Sequence, residues 1–483
     1  MNLSLMLRVL GVLLLIVSAF MAFSIPIALV FGESGLIWTF LPPIGINLLV
    51  FFSGHFFRNR QGSKTLTVRS GYLLVALSWL AVTATGALPF VLSGAIPRYV
   101  DAFFETMSGF TTTGASILTD IEGVAKSLLF WRSMTHWLGG MGIVVLTVAI
   151  FPLLGIGGLK LMDAEAPGPS LDKFTPRISE TAKMLWLMYI GLTLLEVLLL
   201  VFGKMSLFDA LNHAFATMAT GGFSTRNASV GFFRSPYVHV VITVFMMLAG
   251  TNFTVYHRLL RGQLRSLRQD SELKTYLFIF FAGSVIIALN LKGFHSSGFF
   301  DRLRAAGFQA ASILTTTGFT TEDFARWPDL AKAVLFLLMF IGGCAGSTGG
   351  GVKVIRFVML FKQASTELHY LLNPRGIFSV RVSGQIVRKN VIYGVYAFFF
   401  LYLIIVFLTF LIVASGGYDI LTSITTSLAT VGNIGPGLGL VGPSGNYAHF
   451  PDYITWWLSL AMMAGRLELY AVLLLLTGDF WRR

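Results

Sequence analysis

Runs of about 20 residues with no charged side chain recur along the whole chain, as at Val9 to Phe31 and Gly35 to Phe57. A helix of that length crosses the hydrocarbon core of a bilayer, where every backbone N–H and C=O must be bonded internally. The chain is therefore expected to be a bundle of membrane helices. Further spans fall at about Gly71 to Leu92, Leu128 to Phe151, Met184 to Val201, Tyr237 to Tyr256, Thr275 to Leu291, Ala333 to Arg356, Val391 to Val413 and Tyr453 to Thr477. Only 12% of the residues are charged, about half the share in soluble proteins, which sets the water-soluble enzyme classes aside. The first apolar run exceeds a signal-peptide core and is read as a retained span.

Ten crossings put both termini on one side. The connections on that side hold the basic clusters: Arg58, Arg60, Lys64 and Arg69; Lys160, Lys173, Arg177 and Lys183; Arg258, Arg261, Arg265, Arg268 and Lys274; Lys362, Arg375, Arg381, Arg388 and Lys389; and Arg482 with Arg483. By the positive-inside rule this face is cytoplasmic. The formal charge of +13 then follows from topology and calls for no nucleic-acid partner. Cys344 is the only cysteine, so an intramolecular disulfide and a thiolate zinc site are excluded.

The connections on the other face repeat one unit. Each begins with Asp behind an apolar or aromatic residue, continues as a short mixed helix and stops in Thr and Gly: Val100 to Ser116, Phe208 to Thr225, Phe300 to Thr321 and Tyr418 to Gly437. From Asp101 to Gly114, Asp209 to Gly222 and Asp419 to Gly432 the offset is 13 residues; from Asp301 to Gly318 it is 17, about one helical turn more. Thirteen residues make about 20 Å of helix, too short to cross. The unit reads as a re-entrant half-helix with Asp as its N-cap, followed by irregular backbone at membrane depth. Four such loops predict a central pore.

Glycine reaches positive φ without steric cost, so it can turn carbonyls toward an axis. Gly114, Gly222, Gly318 and Gly432 are expected to form one carbonyl ring, and Thr113, Gly221, Thr317 and Val431 a second. Thr112, Thr220, Thr316, Thr430 and Asn433 complete the loops. Carbonyl rings replace the hydration shell of a weakly hydrated monovalent cation, and the negative ends of four half-helices favour it further. Small residues also mediate helix packing, which accounts for abundant glycine but not for four Asp-to-Gly units on one face.

TTTGAS, ATGGFST, TTTGFTT and TVGNIGPG in these loops, with WRSMTHWLGGMGIVVL from Trp131, PFVLSG from Pro89, IGGCAGSTGGGVKVIRF from Ile341 and GRLELYAVLLLL from Gly465, resemble the Trk/Ktr/HKT superfamily of cation translocation proteins over essentially the whole chain. The TrkH branch is the nearest in pattern. The resemblance implies an all-α membrane protein in which four span–pore-helix–filter-loop–span repeats surround one pore in pseudo-fourfold order, preceded by two extra helices. The corresponding segments are 1–66 for the extension and 67–160, 161–272, 273–388 and 389–483 for the repeats. It further implies K⁺ uptake, with Rb⁺ as a stand-in ion, across the bacterial cytoplasmic membrane. The implied assembly is a homodimer in membrane lipid with a separate cytosolic nucleotide-binding regulatory subunit. No covalent cofactor is expected, only K⁺ ions at the filter carbonyls. Sodium-preferring relatives carry serine in place of the first-loop glycine, whereas this sequence has Gly114.

The run Gly342, Gly343, Cys344, Ala345, Gly346, Ser347, Thr348, Gly349, Gly350 interrupts a span with residues of poor helix propensity. The resemblance makes it an intramembrane gate loop under the filter; a close helix–helix contact is the alternative. Val352 before Lys353 breaks any phosphate-loop pattern. Arg466 is expected midway along the last span, facing the pore and repelling cations; the alternative is a buried partner for a carboxylate or for loop carbonyls, and the two roles can hold together. Glu468, two residues on, does not share its helical face. Glu196 reads as a packed carboxylate, and His55 and His136 as single interface residues. Parallel repeats whose polar groups are backbone and hydroxyl favour a gated pore over a proton- or sodium-coupled symporter, and no carboxylate or histidine cluster suggests an enzyme.

Overall fold

The computed structural model describes residues 3–56, 67–142, 178–263, 268–294 and 298–482. Six helices in it are long and apolar enough to span a membrane: 3–30, 34–56, 69–92, 182–202, 271–293 and 389–414. Residues 143–151 of the expected Leu128 to Phe151 span lie outside the described residues, as do Arg58, Arg60, Lys64, Lys160, Lys173, Arg177, Arg265 and Arg483.

The first two spans form a tight pair because glycine lets their backbones meet. A β-carbon on Gly11 would lie 2.7 Å from Phe51 Cα, and one on Gly54 2.8 Å from the Leu7 carbonyl oxygen. Asn47 donates to Ser18 Oγ across the same interface at 2.9 Å. This pair docks on the first repeat through Glu33, whose carboxylate accepts the backbone N–H of Lys126 (2.7 Å) and Ser127 (2.9 Å), open donors at the start of the helix Lys126–Gly140.

Each repeat then runs as a long helix, turns, and returns as a short one. The four short helices are Tyr99–Phe110, Leu207–Met218, Phe299–Leu314 and Ile420–Val431, of 12, 12, 16 and 12 residues. Their starts correct one expectation. Only Asp419 is an N-cap, accepting from Thr422 N at 3.0 Å. Asp101, Asp209 and Asp301 are each the third residue of their helix, behind caps Arg98, Ser206 and Gly298. The two apolar or aromatic residues ahead of those three aspartates join the helix. Before Asp419, Gly417 at φ +83° holds the chain out of it. A carboxylate in the first turn still complements the helix dipole, and Ser206 closes the turn by accepting from Asp209 N while donating to Asp209 Oδ2 at 2.8 Å.

Two expected spans are broken. Pro236–Ala249 and Phe253–Leu260 meet at 96°, and Asp452–Arg466 and Tyr470–Leu476 at 120°. A third, expected from Ala333 to Arg356, is helical only at Asp329–Leu338 and again from Val354 to Leu372. The first break leaves the Ala249 and Gly250 carbonyls without helical partners, and the segment 342–351 supplies them: Cys344 N donates to Gly250 O at 2.8 Å and Thr348 Oγ1 to Ala249 O at 3.1 Å. The second break places Glu468 and Leu469 at φ +52° and +65°, so Arg466 ends a helix instead of lying mid-span.

Candidate functional site: four loops around one axis

Each short helix ends in the same hydrogen-bonded turn. The residue after its cap adopts a left-handed conformation: Thr112 (φ +54°), Thr220 (+55°), Thr316 (+59°) and Asn433 (+53°). The next residue donates back into the helix, Thr113 to Ser108 O, Gly221 to Ala216 O, Thr317 to Ser312 O and Ile434 to Ala429 O, at 2.8 to 2.9 Å. This satisfies carbonyls at a helix end, a task glycine usually performs. A β-branched residue held left-handed is strained, and strain of this kind persists where surrounding structure enforces it. In three of the loops hydroxyl contacts flank the strained residue: Thr111 with Thr113 (2.8 Å), Thr315 with Thr317 (2.7 Å), and Asn433 Nδ2 to Thr113 Oγ1 (2.9 Å).

Glycine follows two residues later. Gly114, Gly222, Gly318 and Gly435 have φ of +79°, +80°, +82° and +93°. A β-carbon on Gly114 would collide with the carbonyl oxygen of Gly221, on Gly222 with that of Thr317, and on Gly318 with that of Ile434. On Gly435 it would lie 2.6 Å from the oxygen of Thr113. Loop one abuts two, two abuts three, three abuts four and four abuts one, so the ring is closed.

The fourth loop corrects the register read from sequence. Gly432 has φ −80° and is the helix cap, the counterpart of Thr111, while Gly435 stands with Gly114 and Ile434, not Val431, with Thr113. Counted from the N-cap, the offsets are 16 from Arg98 to Gly114, 16 from Ser206 to Gly222, 20 from Gly298 to Gly318 and 16 from Asp419 to Gly435. The expected pairing slipped by three because Asp419 caps where its three counterparts lie inside the helix.

Behind the ring, Arg132 and Glu105 form an ion pair at 2.6 Å with side chains 2% and 0% exposed. Glu105 also accepts from Ile117 N (2.7 Å) and Ser116 Oγ (3.0 Å) beyond the first loop. Arg132 donates to Ser224 O (3.1 Å) of the second loop and stacks on Phe223 at 3.5 Å. His136 Nδ1 meets Gly109 O at 2.7 Å and its ring stacks on Phe223, so it sits between the same two loops. Sequence reasoning passed over Arg132 and Glu105, although a charge inside an apolar segment is itself a signal.

Directly beneath lies the segment 342–351. Gly350 donates to Thr316 Oγ1 at 2.6 Å, and a β-carbon on Gly350 would lie 2.7 Å from Gly432 O. Thr348 Oγ1 also reaches Met218 O at 3.0 Å. The segment thus touches the ends of the second, third and fourth short helices. One oxygen of Glu272 accepts Ala345 N (2.7 Å) within the segment and Ile355 N (3.1 Å) in the helix that follows it, tying the two to one point, and Lys353 Nζ donates to Gly349 O. Arg466 donates to Thr348 O (2.7 Å), Gly139 O (2.8 Å) and Gly140 O (3.1 Å). These bonds anchor loop carbonyls, a role that the sequence reading allowed alongside repulsion of cations. Glu468 pairs with Arg356. Glu196 is fully buried on the helix Ile178–Phe202. No group of three potential metal ligands from His, Cys, Asp and Glu occurs among the described residues.

The family model TrkH, described as a cation transport protein, matches residues 44–483. The chain is 39% identical to the Trk system potassium uptake protein TrkH of Escherichia coli (strain K12), covering 98% of each chain. It is 40% identical to the protein of that name from Halomonas elongata, over all of both chains. Among solved structures, the crystal structure of the potassium transporter TrkH from Vibrio parahaemolyticus superposes with a TM-score of 0.88 at 36% identity, covering 100% of each chain.

Proposed function

Because this chain belongs to the TrkH family of cation transport proteins, we propose that it takes up K⁺ across the bacterial cytoplasmic membrane through a gated pore. The closed ring of four glycine loops carries this reading. Its oxygens and the four helix ends behind them supply partial negative charge with no carboxylate in the ring, which suits a weakly hydrated monovalent cation. The relatives named Trk system potassium uptake proteins support K⁺ as the ion. The segment Gly342 to Gly350, packed under the ring, is the gate. A homodimer controlled by a cytosolic nucleotide-binding subunit is the proposed assembly, with both termini cytoplasmic. Arg69 donates to Arg482 O at 2.5 Å, which supports one shared face for the start of the first repeat and the end of the fourth.

The test is flux of K⁺, Rb⁺, Na⁺ and Li⁺ into liposomes holding the purified protein at fixed gradients. K⁺ and Rb⁺ should pass and Na⁺ and Li⁺ should lag; equal passage of all four would sink the filter reading. K⁺ movement that stops when a proton or sodium gradient is removed would instead favour coupled symport.

Arg466→Gln should raise flux without changing ion preference. It removes the charged donors that strap Thr348 to Gly139 and Gly140; losing about 1.4 kcal/mol from the closed arrangement, less than one such bond contributes, already corresponds to tenfold, so K⁺ entry is expected to rise about tenfold or more. Folded Arg466→Gln protein with parental flux would remove the strap from the gating account.

A further inference from the structure

The connection after the fourth loop folds back over it and delivers one side chain to the ring. Tyr447, 3% exposed, donates its backbone N–H to Ser116 O at 2.9 Å and its hydroxyl to the carbonyl of Gly435 at 2.6 Å. Its ring is held between Phe104 of the first short helix, 5.4 Å between centroids, and Phe450, at 5.8 Å. Ser116 is bonded in turn to Glu105 and Arg132, so Tyr447 is anchored to the ion pair behind the first loop. Gly114, Gly222, Gly318, Gly435 and Tyr447 all line the cavity at the outer mouth. Among the described residues, nothing donates to the carbonyls of Gly114, Gly222 or Gly318; that of Gly435 is held.

We propose that Tyr447 is a specificity-determining residue of the pore, pinning one corner of the outer carbonyl ring at the radius that fits K⁺. The inference rests on the K⁺ reading of the ring given above. A smaller ion such as Na⁺ is coordinated well only if the surrounding oxygens move inward. An oxygen tied from behind must stretch or break its hydrogen bond to follow, whereas for the larger ion it stays where it is. The hydroxyl therefore penalises Na⁺ and leaves K⁺ unaffected. Each loop is followed by a connection to the next helix, but among the described residues only that of the fourth repeat sends a donor to a ring glycine's carbonyl, so the fourfold pattern of the loops is broken at this corner.

Tyr447→Phe keeps the aromatic packing and removes the donor. In liposomes its K⁺/Na⁺ flux ratio should fall about fivefold, equivalent to about 1 kcal/mol, chiefly through faster Na⁺ entry. Phe104→Leu, which loosens the packing and leaves the hydroxyl, should keep the parental ratio. A parental ratio in folded Tyr447→Phe protein, or an equal fall in Phe104→Leu, would overturn the proposal. Protein with 4-aminophenylalanine at 447, a weaker donor on the same ring, should fall between the two. It decides the matter if the Phe variant does not fold, a parental ratio there being the overturning result. Parent protein that conducts K⁺ and Na⁺ alike would overturn the filter reading itself, and is seen before any substitution is made.

Discussion

Gly114→Ser should remove most of the preference for K⁺ over Na⁺, with the flux ratio falling tenfold or more. Two costs combine. At φ +79° a residue with a β-carbon pays about 1 to 2 kcal/mol for the left-handed conformation. The new β-carbon also collides with the carbonyl oxygen of Gly221, so either loop one rotates or loop two gives way. Each response displaces a ring oxygen, and every 1.4 kcal/mol of lost discrimination is a factor of ten. Gly32 is the control: it too is left-handed, at φ +74°, but nothing lies within 4 Å of its missing β-carbon. Gly32→Ser should leave the ratio alone. A folded Gly114→Ser protein with parental selectivity would count against the ring, and a Gly32→Ser protein with altered selectivity would show that the assay reads general damage.

The largest loss of stability is expected from Glu105→Gln. It leaves the Arg132 guanidinium fully buried without its counter-charge, and breaking one side of a buried pair costs about 3 to 5 kcal/mol. Arg132→Met should cost a similar amount, because the Glu105 carboxylate then loses its strongest donor. Glu105→Gln with Arg132→Met together should be far less damaging than the sum, since no unpaired charge remains. The measurement is the surviving folded fraction after graded heating in detergent. Additive losses in the double variant would mean that the two side chains act separately.

Much of this was legible in the sequence because bilayers leave few options. The apolar runs located the long helices, and three equal Asp-to-Gly offsets located the short ones, with the extra turn in the third. What failed was register and breakage. Asp419 carries the same residue type as Asp101 but one turn earlier in its helix, and only the backbone at Gly417 distinguishes them. The bend at Gly250 to Asn252 has no proline to announce it, and the left-handed Glu468 and Leu469 have no side-chain chemistry that asks for that conformation. Both bends are stabilised by a partner distant in the chain, Gly342 to Gly351 for the first and the ion pair of Glu468 with Arg356 for the second. The contacts of Tyr447 with Gly435 and of Glu272 with Ala345 depend on the same long-range closure.

The ring is closed by four loops of one polypeptide, each with its own residues: Thr113, Gly221, Thr317 and Ile434 occupy equivalent places. In a pore assembled from four identical subunits, one codon change alters every corner at once, and an intermediate composition cannot be inherited. Here a single mutation alters one corner in four. Ion preference can therefore shift in small heritable increments, with three unaltered corners keeping the conduit usable while the fourth is tried.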